Sequence, residues 1–172
     1  MVVLGWCVAA PLTSSGSAAE NPWNDSQILG IYIQVNGFDI ETALLGGARA
    51  KSESVRQLAH RVASDHLGVR QTAYDLAGQC NVPIELPGGR DQAAVEHGKA
   101  MAHLLSLSGQ SFDKAFAQHE VGFHRAAIEA VRSTLLPAAR CPALKAHLND
   151  VLPAFQHHLA QTEAIEHRLA AH

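Results

Sequence analysis

The stretch SFDKAFAQHEVGFHRAAIEAVRSTLLP, residues 111–137, decides the fold. Phe112, Phe116, Glu120, His124, Ile128, Val131 and Leu135 recur every three or four positions, which is the spacing of one helical face. A helix with such a stripe has to bury it against other helices. Glu120 and His124 fall inside the stripe, where an unpartnered charge or imidazole would cost several kcal/mol.

Working outward, the same period recurs in three further segments. Asn24-Asp25-Ser26 can cap a first helix carrying Ile28, Ile31/Tyr32, Val35, Asp39, Thr42 and Leu45, with Gly46-Gly47 loosening its end. Ser52 precedes a second, with Val55, Leu58, Val62, His66, Val69, Ala73 and Leu76 in phase. After Pro142 a last one carries Leu144, Leu148, Val151, Phe155, His158, Thr162, Ile165 and Leu169, with a kink expected at Pro153. Residues 80–89, with two prolines and a glycine pair, form the clearest break, and a shorter helix is predicted from about Asp91 to Leu107. No strand pattern is present. Short connections make the helices antiparallel neighbours, so the expected architecture is an all-α, up-down four-helix bundle with an additional short helix.

The intruding polar residues can be compared in height, since each residue adds about 1.5 Å along a helix. Place the connection near Lys51 at the top of the bundle, so that Cys80 and Cys141 share the bottom. His66, His124 and His158 then lie about 14, 13 and 17 residues above that end, and Asp39 is at nearly the depth of His66. Three histidines and two carboxylates therefore converge at mid-height, where facing helices build metal sites. His66, His124, His158, Glu120 and Asp39 are the candidate metal ligands. Imidazole and carboxylate donors suit Zn, Fe, Mn or Cu without choosing among them. A divalent metal ion is thus the one cofactor or partner this pattern suggests.

Blander readings stand beside this one. Glu120 and His124, four apart, can form an intrahelical ion pair. Asn36 or Glu41 can stand in for Asp39, and Asp65 reads as a solvent-facing neighbour of His66. His119 reads as rim or surface; His97, His103, His147, His167 and His172 read as solvated; and Phe116, Phe123 and Phe155 read as core. Asp113, in the first turn of the long helix, reads as favouring its dipole. Only one of His157 and His158 can face inward.

The chain has 172 residues, 47% of them hydrophobic and 17% charged, which is the composition of one globular domain. A net charge of −3 makes no electrostatic case for nucleic acid or anionic lipid. Residues 1–19 read as a secretory signal. The apolar run Met1–Leu12 is followed by Ser17 and Ala19 at the −3 and −1 positions of a cleavage site before Glu20, although no basic residue precedes it. That run is too short to span a bilayer, and the rest of the chain, 20–172, reads as the bundle domain. Cys7 invites a lipoprotein reading, against which Trp6 stands where a small residue is wanted. The remaining pair, Cys80 and Cys141, suits an oxidising compartment, and their shared height makes a disulfide plausible. The expected location is the periplasm or cell envelope.

Enzyme motifs are thin: there is no phosphate loop, nucleophile elbow or CxxC. Di-iron carboxylate bundles carry Glu-x-x-His on two helices, whereas EVGFH spaces Glu120 and His124 by four. That counts against a redox enzyme.

The segments IQVNGFDIETALLGGARAKSESVRQLAHRVASDH (33–66), FDKAFAQHEVGFHRAAIEAV (112–131) and ALKAHLNDVLPAFQHHLAQTEAI (143–165) resemble the bacterial domain-of-unknown-function family 4142. The resemblance covers roughly residues 25–166 and rests on Asn36, Asp39, Asp65, His66, Phe112, Asp113, Glu120, His124, Pro153 and His158. It implies a ferritin-like helical bundle and an exported protein, its members often being labelled membrane or outer-membrane proteins. It implies no chemistry. Two functions follow as expectations: transition-metal binding in envelope metal handling or stress protection, or a non-catalytic structural or interaction protein whose buried polar network fixes packing.

Overall fold

The computed structural model describes residues 23–86, 88 and 90–171. The signal-like segment and Cys7 lie outside these residues, as does His172. Among the described residues every regular element is helical: α1 (Asp25–Arg49), α2 (Glu53–Cys80), α3 (Arg90–Leu105), α4 (Gly109–Ala130), α5 (Leu136–Ala138) and α6 (Pro142–Ala170). A π-helical turn, Val131–Leu135, joins α4 to α5. α1 packs along α2 and α4 along α6, and the two antiparallel pairs close into a bundle through α2 against α6. The short α3 lies outside, burying little beyond Leu104. Among the described residues, no helix is long and apolar enough to cross a membrane.

Local chemistry sets the helix ends. Asn24 caps α1 in a reciprocal pair with Gln27: the Asn24 side chain accepts from the Gln27 N–H at 2.9 Å, and Gln27 Oε1 accepts from the Asn24 N–H at 3.3 Å. Ser52 precedes α2, but its hydroxyl makes no cap. The work falls to Asp113, a buried carboxylate on α4 that accepts from the backbone N–H of Lys51 at 2.9 Å and of Ser52 at 2.8 Å. Asp113 therefore fastens the α1–α2 turn; because α4 begins at Gly109, it lies beyond the first turn of its own helix, where the sequence had placed it. At the opposite end Asp25 does the same for the approach to α6, accepting from Arg140 N at 2.8 Å and Cys141 N at 2.9 Å.

Gly46 and Gly47 lie inside α1, which runs on to Arg49. Gly46 is a packing glycine: a Cβ there would meet the Phe116 ring at 2.4 Å. α6 continues as one helix through Pro153, which is exposed. Cys80 and Cys141 are joined by a disulfide at the lower end, closing a loop across 61 positions of sequence.

The apolar interior is not continuous. One cluster gathers Ile28, Leu29, Tyr32, Leu76, Ile128, Leu144, Leu148 and Phe155 toward the disulfide end. A second gathers Val55, Leu58, Val62, Phe112, Phe116 and Ile165 toward the α1–α2 turn. Between them, in every helix of the bundle, the stripe turns polar: Asn36 and Asp39 in α1, His66 in α2, Glu120 and His124 in α4, and His158 and Thr162 in α6.

Candidate metal centre

All five residues singled out from the sequence are buried in that polar layer, with Asp39, Glu120 and His124 wholly out of solvent. They form two triads that share His124. One nitrogen from each of His66, His124 and His158 lies within 4.8 Å of the other two, and so do ligand atoms of Asp39, Glu120 and His124. Asp39 Oδ2 links the triads, 3.0 Å from His66 Nε2 and 3.8 Å from His124 Nε2. The His66 and His124 rings stand edge to face at 5.5 Å between centroids, and His124 and His158 do so at 5.3 Å.

The outer nitrogen of each ring settles which inner nitrogen is available. His66 Nδ1 faces Asn36 Oδ1 at 2.8 Å. The Asn36 amide is itself oriented, since its Nδ2 donates to Tyr32 O at 2.7 Å. His124 Nδ1 faces the Glu120 backbone carbonyl at 3.0 Å. His158 Nε2 faces Asp65 Oδ2 at 2.9 Å. Amide, carbonyl and carboxylate oxygens only accept, so each of these ring nitrogens must donate. In a neutral imidazole the other nitrogen then carries a lone pair. Those nitrogens are His66 Nε2, His124 Nε2 and His158 Nδ1, the three that lack a hydrogen-bond partner.

The carboxylates complete the pattern. The four oxygens of Asp39 and Glu120 find no donor on any other residue; the two carboxyl groups face each other, and a hydrogen bond between them lowers Asp39 and raises Glu120. Burial pushes the Asp39 carboxyl up to about 7 and carries Glu120 well above its ordinary range, where the neighbouring charge of Asp39 raises it further. Burial holds His66 far below the usual imidazole range and His124 down at about 4, so both are neutral at pH 7. A neutral His66 Nε2 facing an ionised Asp39 Oδ2 at 3.0 Å sets two electron pairs against each other. Something electrophilic has to lie among them, either a proton on the acid or a cation. Three imidazole nitrogens and two carboxylates with unused lone pairs are a donor set that fits a transition-metal ion.

The structure also amends the reading of individual residues. Asp65, taken as a mere neighbour, is 50% exposed yet holds His158 from outside. Asn36 orients His66 in place of substituting for Asp39. Glu41 is exposed and pairs with His97 at 2.9 Å. His97 is consequently not free in solvent; it also stacks on Phe38 with 4.3 Å between centroids. His147 is partly buried against the Tyr32 hydroxyl at 3.2 Å. His103 and His167 are exposed as expected, and His157 faces outward while His158 faces in. His119 is partly buried, with its Nε2 enclosed. Phe123 is half-buried at the wall of a cavity, unlike the core residues Phe116 and Phe155.

The model of the family described as Domain of unknown function (DUF4142) matches residues 10–165. The chain belongs to that family. No curated protein sequence matches. Among solved structures, CopM in the Cu(II)-bound form superposes with a TM-score of 0.67 at 16% identity, covering 85% of this chain and 97% of that one. At that identity the likeness is one of fold, and it confirms the all-α bundle.

Proposed function

We propose that this member of the family binds one divalent transition-metal ion between its two apolar clusters. His66 Nε2, His124 Nε2 and His158 Nδ1 would hold it, with Asp39 as the carboxylate ligand and Glu120 behind it. The observation that carries this reading is the orientation of the rings: each donates its outer N–H to an oxygen, leaving its inner nitrogen unpartnered. That outer hydrogen bond is the usual support of a metal-bound histidine, fixing its tautomer and raising its basicity. Neutral imidazoles favour copper(II) or zinc, with iron and manganese weaker candidates. The copper-bound form of CopM, which shares the fold, supports copper as the first metal to try.

The role that fits is binding and holding in place of turnover. The ligand set is enclosed, and the Glu-x-x-His pairs of di-iron oxidases are absent. The disulfide supports an oxidising compartment, and we assign the protein to the cell envelope, in metal handling or protection against metal stress.

The test is metal analysis of tag-free protein after loading with Cu(II) or Zn(II) and desalting. About one equivalent is expected, lost in both His66→Ala and His124→Ala. Stoichiometry far below one, or uptake unchanged in both variants, sinks the proposal. One observation favours a second reading, in which Asp39 keeps its proton and donates to His66, so that the layer is a polar network that fixes packing. It would show no rise in melting temperature with any divalent ion.

A further inference from the structure

A cavity of about 270 Å³ lies beside the polar layer, toward the disulfide end of the bundle. It has a local cause. The π-helical turn Val131–Leu135 inserts one residue into the α4 ladder, and just before it Ala127 and Ala130 present only methyl groups. The wall left opposite α1 is thus thin. Four aromatic side chains line the space: Trp23, Tyr32, Phe123 and Phe155. The ring of His66 forms part of its inner wall, stacked on Phe155 with 5.1 Å between centroids.

We propose that this cavity is a binding site for one small, uncharged, apolar molecule of aromatic dimensions. Size comes first: an apolar cavity of about 150 Å³ stays dry and takes up benzene, so this space admits one or two fused rings. The wall chemistry comes second. Asn36 spends its amide on Tyr32 O and His66, and the Tyr32 hydroxyl is turned to His147. A ligand bringing its own polar groups would leave them unpaired at a cost, whereas aromatic walls reward an aromatic guest through edge-to-face and offset contacts. The selection is therefore for apolar over polar molecules. Of the proposed metal ligands only His66 lines the space.

The test uses the whole, metal-free chain titrated with azulene, an uncharged two-ring hydrocarbon followed by its absorbance, with naphthalene as competitor. A saturable spectral change at one site per chain, reversed by naphthalene, is the expected result. Ala127→Phe and Val35→Trp, at two half-buried positions of the wall, each fill the space and should weaken binding at least tenfold, with the helical circular dichroism of the parent retained. Absence of saturable binding overturns the proposal, as does binding equal to the parent's in whichever filled variants fold. Displacement by naphthalenesulfonate as readily as by naphthalene would also overturn it, because a charged guest has no partner in that wall.

Discussion

The His66 ring is held through its Nδ1 by Asn36 Oδ1, 2.8 Å away on the neighbouring helix. Asn36 lies one turn before Asp39 in α1, so a single helical face supplies both the support for His66 and the acid facing its other nitrogen. Support and ligand are registered by the backbone, and no loop intervenes.

Removing the support should therefore loosen the metal without removing a ligand. Asn36→Leu leaves His66 in place but frees its tautomer and ring angle. A loss of metal affinity of about 10- to 100-fold is expected, the range for lost outer-shell partners. Competition titration against a chromophoric chelator reads it. Affinity within twofold of the parent would show that the hydrogen bond plays no part.

Asp39→Asn separates metal binding from stability. In metal-free protein at pH 8 the parent buries an ionised Asp39 carboxylate whose donor is the facing acid of Glu120. The amide should raise stability by something on the order of 2 kcal/mol, while metal affinity falls. Urea unfolding with and without metal gives both numbers. A variant less stable than the parent at pH 8 in the absence of metal contradicts this account.

The same substitution changes the pH dependence of stability. His66 and His124 have folded-state values below the unfolded 6.5, so the unfolded chain binds their protons first and stability falls as pH drops from about 6.5 toward 4. Asp39 and Glu120 are raised, so the folded chain binds theirs first, and the same acidification favours folding. The two contributions oppose each other in the parent between about pH 5 and 6.5. Asp39→Asn removes one of the compensating protons. Its stability should fall more steeply than the parent's by roughly 1 kcal/mol per pH unit in that window. Denaturant midpoints at half-unit intervals check this, and parallel curves would refute it.

Reduction of Cys80–Cys141 releases a loop spanning 61 positions. The chain-entropy relation puts the loss at about 4 kcal/mol. For a domain of this size that is a fall of roughly 10 °C in melting temperature. Calorimetry with and without reductant measures it, and the bundle should stay helical below the new midpoint.

Asp113→Ala should cost about 2 kcal/mol, since two backbone N–H groups at the α1–α2 turn lose their acceptor. Metal stoichiometry should be unchanged, because this residue sits at the end of the bundle, away from the polar layer. Metal loss in a folded Asp113→Ala protein would mean that the turn sets the height of α1 and α2.

Helical period was enough to determine the bundle and the mid-height of the polar residues, and prolines with a glycine pair were enough to mark the break at residues 80–89. The stripe of each helix is a local property, and height along a straight helix follows from counting residues. Direction around the axis and contact between helices are not local, and there only the tertiary structure decides. It turned His158 inward and His157 outward, moved Asp113 from a first-turn charge to the clasp of a distant turn, and joined Asp65 to His158 across 93 positions. Asn36 has the signature of any polar residue in a helix until the second helix brings His66 within 2.8 Å of it. The cavity is equally unreadable in one dimension, since it arises where a π-helical turn and two alanines fail to fill the space opposite α1. Side-chain identity specifies which groups have to be satisfied, whereas packing between helices specifies which group satisfies which.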